Sequence, residues 1–325
     1  MKRFLACAGI FSFALLHSAR AVIFYATGDL NYNTSPPTGD LSGSGWQWVG
    51  NWQGYAGTPI GANFFLAAQH IGGKVGDPFV FNGVTYTTTA IFDDGSTDLR
   101  ICRVSGTFPS WATIYRGNGE VGSPLVVFGF GLGRGAAVTV GGVQKGWYWQ
   151  PNTAGVLRWG QNVVTSVVPN APGWGNLLYS TFDANGGANE AQLATGDSSG
   201  PVFIGDGTEW KLAGIAAAVD GPFNTTNSGG GFNAALYDAR GLYIYNGTTW
   251  ELISGPTAVP SGFYATQVSV RASWIDSIVP QDNPDSDSPL LSGPQATILV
   301  VLVGAIGAAS LGTRGSKPPF PLCVK

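Results

Sequence analysis

Gly196-Asp197-Ser198-Ser199-Gly200-Pro201 decides how this chain is read. A serine hydroxyl is a poor nucleophile until a base takes its proton. It also needs amide N–H groups aimed at the oxyanion that develops as it attacks. Gly196 can adopt the backbone angles that turn its own N–H toward such a hole, beside the N–H of Ser198. The same composition also suits a plain surface turn, so the six residues alone leave both readings open.

Working outward, the next question is which base could serve Ser198. Histidine carries a proton both ways near neutral pH. His70 is the one histidine left once residues 1–21 are set aside. It follows the apolar run Phe64-Phe65-Leu66-Ala67-Ala68 and precedes Gly72-Gly73, an arrangement that lets an imidazole stand at a tight, accessible bend. A lone histidine is otherwise a structural or surface residue. A third group should orient the imidazole and stabilise its protonated form. Asp98 opens the apolar strand 98–104 (DLRICRV), where a carboxylate can be held near buried surface. Asp93 and Asp94 compete for the role, but no apolar run ties them down and both read as solvent-exposed.

The surroundings read as strands and glycine turns. The chain has 325 residues with 49 glycines and 20 prolines, and only 11% are charged, which excludes a helical bundle or coiled coil. Hydrophobic residues at 44% and 11 tryptophans exclude a disordered chain. Glycine has no three-residue period, so collagen is excluded. The net charge of −3 comes without a basic stripe, so no nucleic-acid partner is expected. Short apolar or alternating runs fall at 63–67, 79–91, 98–104, 124–128, 177–182, 201–204 and 211–219. Asn82-Gly83 and Asn246-Gly247 each mark a hairpin. Residues 129–135 (GFGLGRG) form a glycine-rich bend. Only 268–278 has a helical period, with Val270, Trp274, Ile275 and Ile278 on one face. Many short strands with one terminal helix predict an all-β fold of closed barrels.

The ends carry addresses. Lys2 and Arg3, the apolar residues 4–16 and Ala19-Arg20-Ala21 have the three regions of a secretory signal peptide, residues 1–21. Residues 280–295 read as an acidic Pro/Ser linker, and 296–311 (ATILVVLVGAIGAASL) carry no charge and precede Arg314 and Lys317. This ending resembles a PEP-CTERM-type sorting signal, although its motif is not V-P-E-P and the chain continues past Lys317. Residues 296–325 are thus read as a hydrophobic sorting or transmembrane tail. The protein is expected to be exported, to the periplasm, outer surface or medium, with a transient membrane anchor at this end. Export machinery and a C-terminal sorting peptidase are its implied partners. Of three cysteines, Cys7 leaves with the signal and Cys323 lies in the tail, so Cys102 has no disulfide partner in the folded region. One histidine and one cysteine cannot make the usual zinc set; no metal or cofactor is expected.

Taken together, the motifs resemble the trypsin-like (chymotrypsin-fold) serine peptidase family. Leu66-Ala67-Ala68-Gln69-His70 is similar to the family's T-A-A-H-C, with Gln69 as an extra residue and Ile71 where the cysteine stands. Thr97-Asp98-Leu99 resembles D-I-A-L, and residues 196–201 resemble G-D-S-G-G-P, departing only at Ser199. Lys211-Leu212-Ala213-Gly214-Ile215 looks like the start of the substrate-lining strand. Residues 260–268 (PSGFYATQV) resemble the P-G-V-Y-T-R-V that leads into the closing helix. The resemblance covers 45–279, with 22–44 as a lead segment, and implies two orthogonal six-stranded β-barrels with a C-terminal helix. It implies a serine endopeptidase acting on protein or peptide substrates as a monomer. His70, Asp98 and Ser198 would be the triad, and the Gly196 and Ser198 amides the oxyanion hole. Gln192 would form the base of the substrate pocket and Val219 its wall, with Ala217 in the same pocket set, standing where a serine is usual and removing a minor hydrogen bond near the triad. With Gln192 where a tryptic enzyme has aspartate, and Val219 narrowing the wall, a small or medium apolar or polar residue is expected before the cleaved bond. Residues 221–260 read as a hairpin insertion at the cleft rim. The family aspartate matching Asp197 pairs with a new Ile or Val N-terminus, and signal cleavage would create Val22-Ile23; an internal partner is the other possibility. A catalytically inactive binding module on the same fold is the alternative reading, and a glycine-rich structural surface protein a more distant one.

Overall fold

The computed structural model describes residues 21–151, 155–207, 209–280 and 322–323. Residues 50–104 alternate short strands with tight turns and form a first barrel. Its strands are β1 (Gly50–Trp52), β2 (Tyr55–Gly61), β3 (Phe64–Ala68), β4 (Pro78–Phe81), β5 (Val84–Asp93) and β6 (Leu99–Val104). They run in the order β1-β2-β3-β6-β5-β4, and Trp52 pairs with Phe79 to close the ring. Asn82 and Gly83, both at positive φ, make the β4–β5 hairpin turn, as the dipeptide predicts. Period-two alternation puts Phe79 and Phe81 inside and leaves Pro78 and Val80 outside. Inside, they meet Trp52, Phe65, Cys102 and Phe108. Cys102 is a free, buried thiol.

The second half supplies β7 (Pro124–Gly129), β8 (Arg158–Val163), β9 (Ser166–Ala171), β10 (Gly175–Thr181), β11 (Pro201–Gly205), β12 (Trp210–Asp220) and β13 (Gly262–Gln267). Their order is β8-β7-β11-β12-β13-β10-β9. The two ends of this sheet, β8 and β9, are separated in sequence only by Val164 and Thr165. The run 158–171 therefore pairs with β7 along its first part and with β10 along its last, and brings the two edges together. Counted as one bent strand, it makes six strands, as expected.

The two halves share an apolar cluster. Leu66, Ala68 and Leu99 of the first meet Phe128, Phe203 and Ile215 of the second. Burial of the leucine, isoleucine and phenylalanine side chains among these contributes roughly 1.5–3 kcal/mol each, without regard to direction. The closing helix is α1 (Ala272–Ile278), preceded by a 3-10 turn at Ser269–Arg271. The expected apolar face is corrected at Val270, which is 50% exposed. The tighter 3-10 winding breaks the 3.6-residue period there. Val268 is buried instead, along with Ile275.

Two regions exceed the expected outline. The folded body extends upstream of residue 45: Ala21, Val22 and Phe24 join the core of the second half, and Ile23–Phe24 pairs with Ala191–Gln192. The insertion after β12 contains the expected Tyr243–Tyr245/Trp250–Leu252 hairpin, but it also builds a core of its own. Phe223, Leu236, Leu242 and Ile253 pack there against Val138. A two-residue strand, Leu322–Cys323, pairs with Val219 and Asp220 of β12. Of the expected signal peptide, residues 1–21, all but Ala21 lies outside the described residues, as does the apolar run 296–311. Among those described, no helix is long and apolar enough to cross a membrane.

Candidate active site

Sheet register brings the first two residues together. Ala68 at the end of β3 pairs with Leu99 at the start of β6, so Asp98 lies beside the turn that follows β3. Gln69 N–H donates to the Asp98 carbonyl at 2.6 Å, and His70 N–H donates to Asp98 Oδ1 at 2.8 Å. The His70 ring then meets the other carboxylate oxygen, with Nδ1 and Oδ2 2.6 Å apart. Two bonds from one carboxylate fix both backbone and ring. With the proton on Nδ1, Nε2 is the acceptor. It stands 2.8 Å from Ser198 Oγ, whose hydroxyl donates to it. Asp98 is buried, while the His70 side chain keeps 17% of its surface exposed.

The competing carboxylates are engaged elsewhere. Asp93 forms a two-pronged ion pair with Arg100, which also donates to the Gly72 carbonyl. Asp94 was expected at the surface and is instead buried, because Arg271 reaches it with both prongs (2.6 and 2.7 Å) from 177 residues away. Burial alone would raise its pKa, but the hydrogen bonds from Thr97 and Arg271 outweigh it and hold the carboxyl below its usual value.

Ser198 sits on a turn stapled to β12. Ser199 N–H donates to the Ala216 carbonyl and Ala216 N–H to the Gly200 carbonyl, both at 2.8 Å. Gly196 has φ +94°, a conformation that side chains disfavour. Among the described residues, neither the Gly196 amide nor the Ser198 amide has an internal acceptor. Between them Asp197 turns inward and is buried. Its carboxylate accepts from Gly131 N–H and Ala194 N–H, each at 2.8 Å, and from Val22 N–H. A Cβ at Gly129, the last residue of β7, or at Gly131 just beyond it would strike Asp197, so these glycines leave the room it needs. Burial pushes the Asp197 carboxyl up to about 7, against those three amides and the charge of Arg158.

Beside Ser198 lies a cavity of about 20 Å³, room for about one water molecule. Trp149, Leu193, Ala194, Ala217, Ala218 and Val219 line it. Ala217 and Val219 are thus among its lining residues. Gln192 is not: it is fully buried, outside the cavity lining, and its Nε2 donates to the Gly262 carbonyl at 2.8 Å. Pairing of Ala191–Gln192 with the upstream strand Ile23–Phe24 holds it there.

Sequence reasoning missed two further features. Trp174, on the β9–β10 turn, packs on a cluster that includes Ala217 and Ala218. Its ring centroid lies 5.7 Å from that of His70. A single tryptophan in a turn has no periodic signal to betray it. Asp220, next to Val219, is fully buried and accepts from the Tyr179 and Tyr264 hydroxyls and from Gly262 N–H. Burial pushes its carboxyl up to about 7 despite these donors. No group of three His, Cys, Asp or Glu side chains among the described residues could hold a metal ion.

No protein-family model matches the chain, and no curated protein matches it by sequence. Among solved structures, the chain is similar to neuropsin, a serine protease expressed in the limbic system of mouse brain. The identity is 14%, over 72% of this chain and 95% of that one, with a TM-score of 0.43.

Proposed function

We propose that the chain is a serine endopeptidase that cleaves peptide bonds through an acyl-enzyme on Ser198. The observation that carries this reading is the continuous relay from Ser198 Oγ through the His70 ring to Asp98, with spacings of 2.8 and 2.6 Å. His70 Nε2 takes the Ser198 proton as Oγ bonds to the scissile carbonyl carbon. The Gly196 and Ser198 amides hold the oxyanion of the tetrahedral intermediate. Its collapse breaks the C–N bond, and His70 gives its proton to the leaving amine. Water then attacks the ester, passing a proton to His70, which returns it to Ser198 Oγ as the acid leaves. Asp98 keeps the ring in the tautomer with Nε2 free and stabilises the imidazolium.

The cavity volume favours a small side chain such as alanine at P1, the residue before the cleaved bond. An extended substrate along β12 turns its P2 side chain, the next residue back, to the opposite face, toward His70 and Trp174. That ring leaves space for small P2 residues. Export, removal of residues 1–21 and sorting through the 296–325 tail belong to the same reading, and cleavage after Ala21 would leave Val22 as an N-terminus facing Asp197. The test is pre-steady-state hydrolysis of an alanyl p-nitrophenyl ester. A burst of nitrophenol equal to the enzyme concentration, with a mass increment on the Ser198 peptide, is expected. Hydrolysis without that increment, undiminished in Ser198→Ala, would contradict the mechanism.

A further inference from the structure

Ser199 is the single departure of the 196–201 turn from the glycine-rich pattern it resembles, and the acyl-transfer steps above leave its hydroxyl unused. It is fully buried, at φ +66°. A non-glycine residue in the left-handed region is strained, and glycine would sit there freely. Strain of this kind persists where the surroundings compensate it. The compensation is specific: Ala68 N–H donates to Ser199 Oγ at 2.9 Å, inside the protein.

Ala68 ends β3, and its N–H has no place in the β-ladders. The β2–β3 pairing runs from Thr58↔Leu66 to Gly61↔Phe64 and stops short of it. On the β6 side, the next amide, Gln69 N–H, takes the Asp98 carbonyl. The Ser199 hydroxyl therefore satisfies a buried donor that would otherwise cost free energy. What it joins is more telling. Ala68 lies two residues before His70, and Ser199 one residue after Ser198. The bond spans the two halves of the fold beside the His70–Ser198 hydrogen bond. The apolar cluster between the halves resists separation but is non-directional. A hydrogen bond fixes distance and angle.

We propose that Ser199 is a positioning residue: its hydroxyl ties the His70 turn to the Ser198 turn and sets the Oγ–Nε2 distance for proton transfer. This rests on the peptidase reading. Proton transfer demands hydrogen-bond reach, and a displacement of about 1 Å can cost on the order of 100-fold in rate.

The test is the kinetics of a fluorophosphonate, which needs no knowledge of the natural substrate. Its binding constant and maximal inactivation rate are measured for the parent, Ser199→Gly and Ser199→Ala, together with Tm. Ser199→Gly removes the hydroxyl and the strain together, so its Tm should match or exceed that of Ser199→Ala, which keeps the strain. The inactivation rate should fall in both by about tenfold or more, with the binding constant unchanged. A Ser199→Gly protein inactivated as fast as the parent overturns the proposal while leaving the peptidase reading intact. A rate that tracks Tm across the two variants assigns Ser199 a purely structural role and also overturns it. A folded parent that never reacts overturns the peptidase reading, and the positioning role with it.

Discussion

The Val22 amide donates to the carboxylate of Asp197, the residue before Ser198, at a site closed to solvent. Val22 holds φ +56°, in the left-handed region that a β-branched residue strongly disfavours. Strain there costs about 1–2 kcal/mol. Cleavage after Ala21 removes the carbonyl carbon that defines this angle and leaves an ammonium group facing a buried acid. A chain starting at Val22 should therefore be the active form. Extending it by two residues should slow acyl-enzyme formation at least about tenfold, measured as the burst rate with the alanyl ester. Equal rates would show that Asp197 needs no terminal partner.

Three buried acids should make a chain that retains Ala21 less stable as pH rises. Burial, the largest cause in each, lifts Asp197 and Asp220 from 3.8 to about 7 and Glu190 from 4.5 to about 8. The folded chain thus holds protons that the unfolded chain has released. Their stabilisation is complete below about pH 4 and is lost as pH rises through 7 to 8. Asp94, held low by the hydrogen bonds of Thr97 and Arg271, and Asp276, held low by Arg116, lose their contribution only as pH falls below about 4. For Ser198→Ala protein beginning upstream of Ala21, Tm should fall between pH 5 and 8. A Tm that rises over this interval would contradict the burial of these acids.

Neighbouring aspartates should separate activity from stability. Asp98→Asn should lower kcat by about 10⁴, the size known for this change in a Ser-His-Asp triad, with little change in Tm. Asp94→Asn should leave kcat near that of the parent. It weakens a pair in which Arg271 is partly exposed, so a loss of about 1–3 kcal/mol is expected by thermal or urea unfolding. Equal kcat losses for the two variants would mean that Asp98 has no special relation to His70.

Specificity should follow two side chains. Val219→Gly widens the cavity wall and should shift P1 preference from alanine toward leucine or phenylalanine. Trp174→Ala should raise kcat/KM for substrates with a large P2 residue by about tenfold while changing those with P2 glycine little. A peptide-library cleavage profile reads both. Identical profiles for parent and Trp174→Ala would remove the ring from the substrate path.

The three residues of the relay were legible because each sits in a short local pattern: an apolar run into a bend, a strand start, a glycine turn. The barrels were legible from strand and turn spacing. Contacts between distant segments left no such trace. Asp94 reads as a loop acid until Arg271 is seen beside it. Val22 and Phe24 read as a lead until Ile23–Phe24 is seen paired with Ala191–Gln192. Gln192, six residues before Ser198, reads as a pocket residue until that same pairing is seen to hold it as a buried amide donating to the Gly262 carbonyl. The private core of the insertion needs Val138, on a strand more than 80 residues upstream of Phe223.

Covalent labelling of the purified protein with a fluorophosphonate, read by peptide mass spectrometry, tests the central claim most directly. The expected result is one adduct per chain, on Ser198, absent from Ser198→Ala and at least about 100-fold slower in His70→Ala. A folded protein that stays unlabelled, or carries its adduct on another residue, would contradict a nucleophile activated by His70 and Asp98.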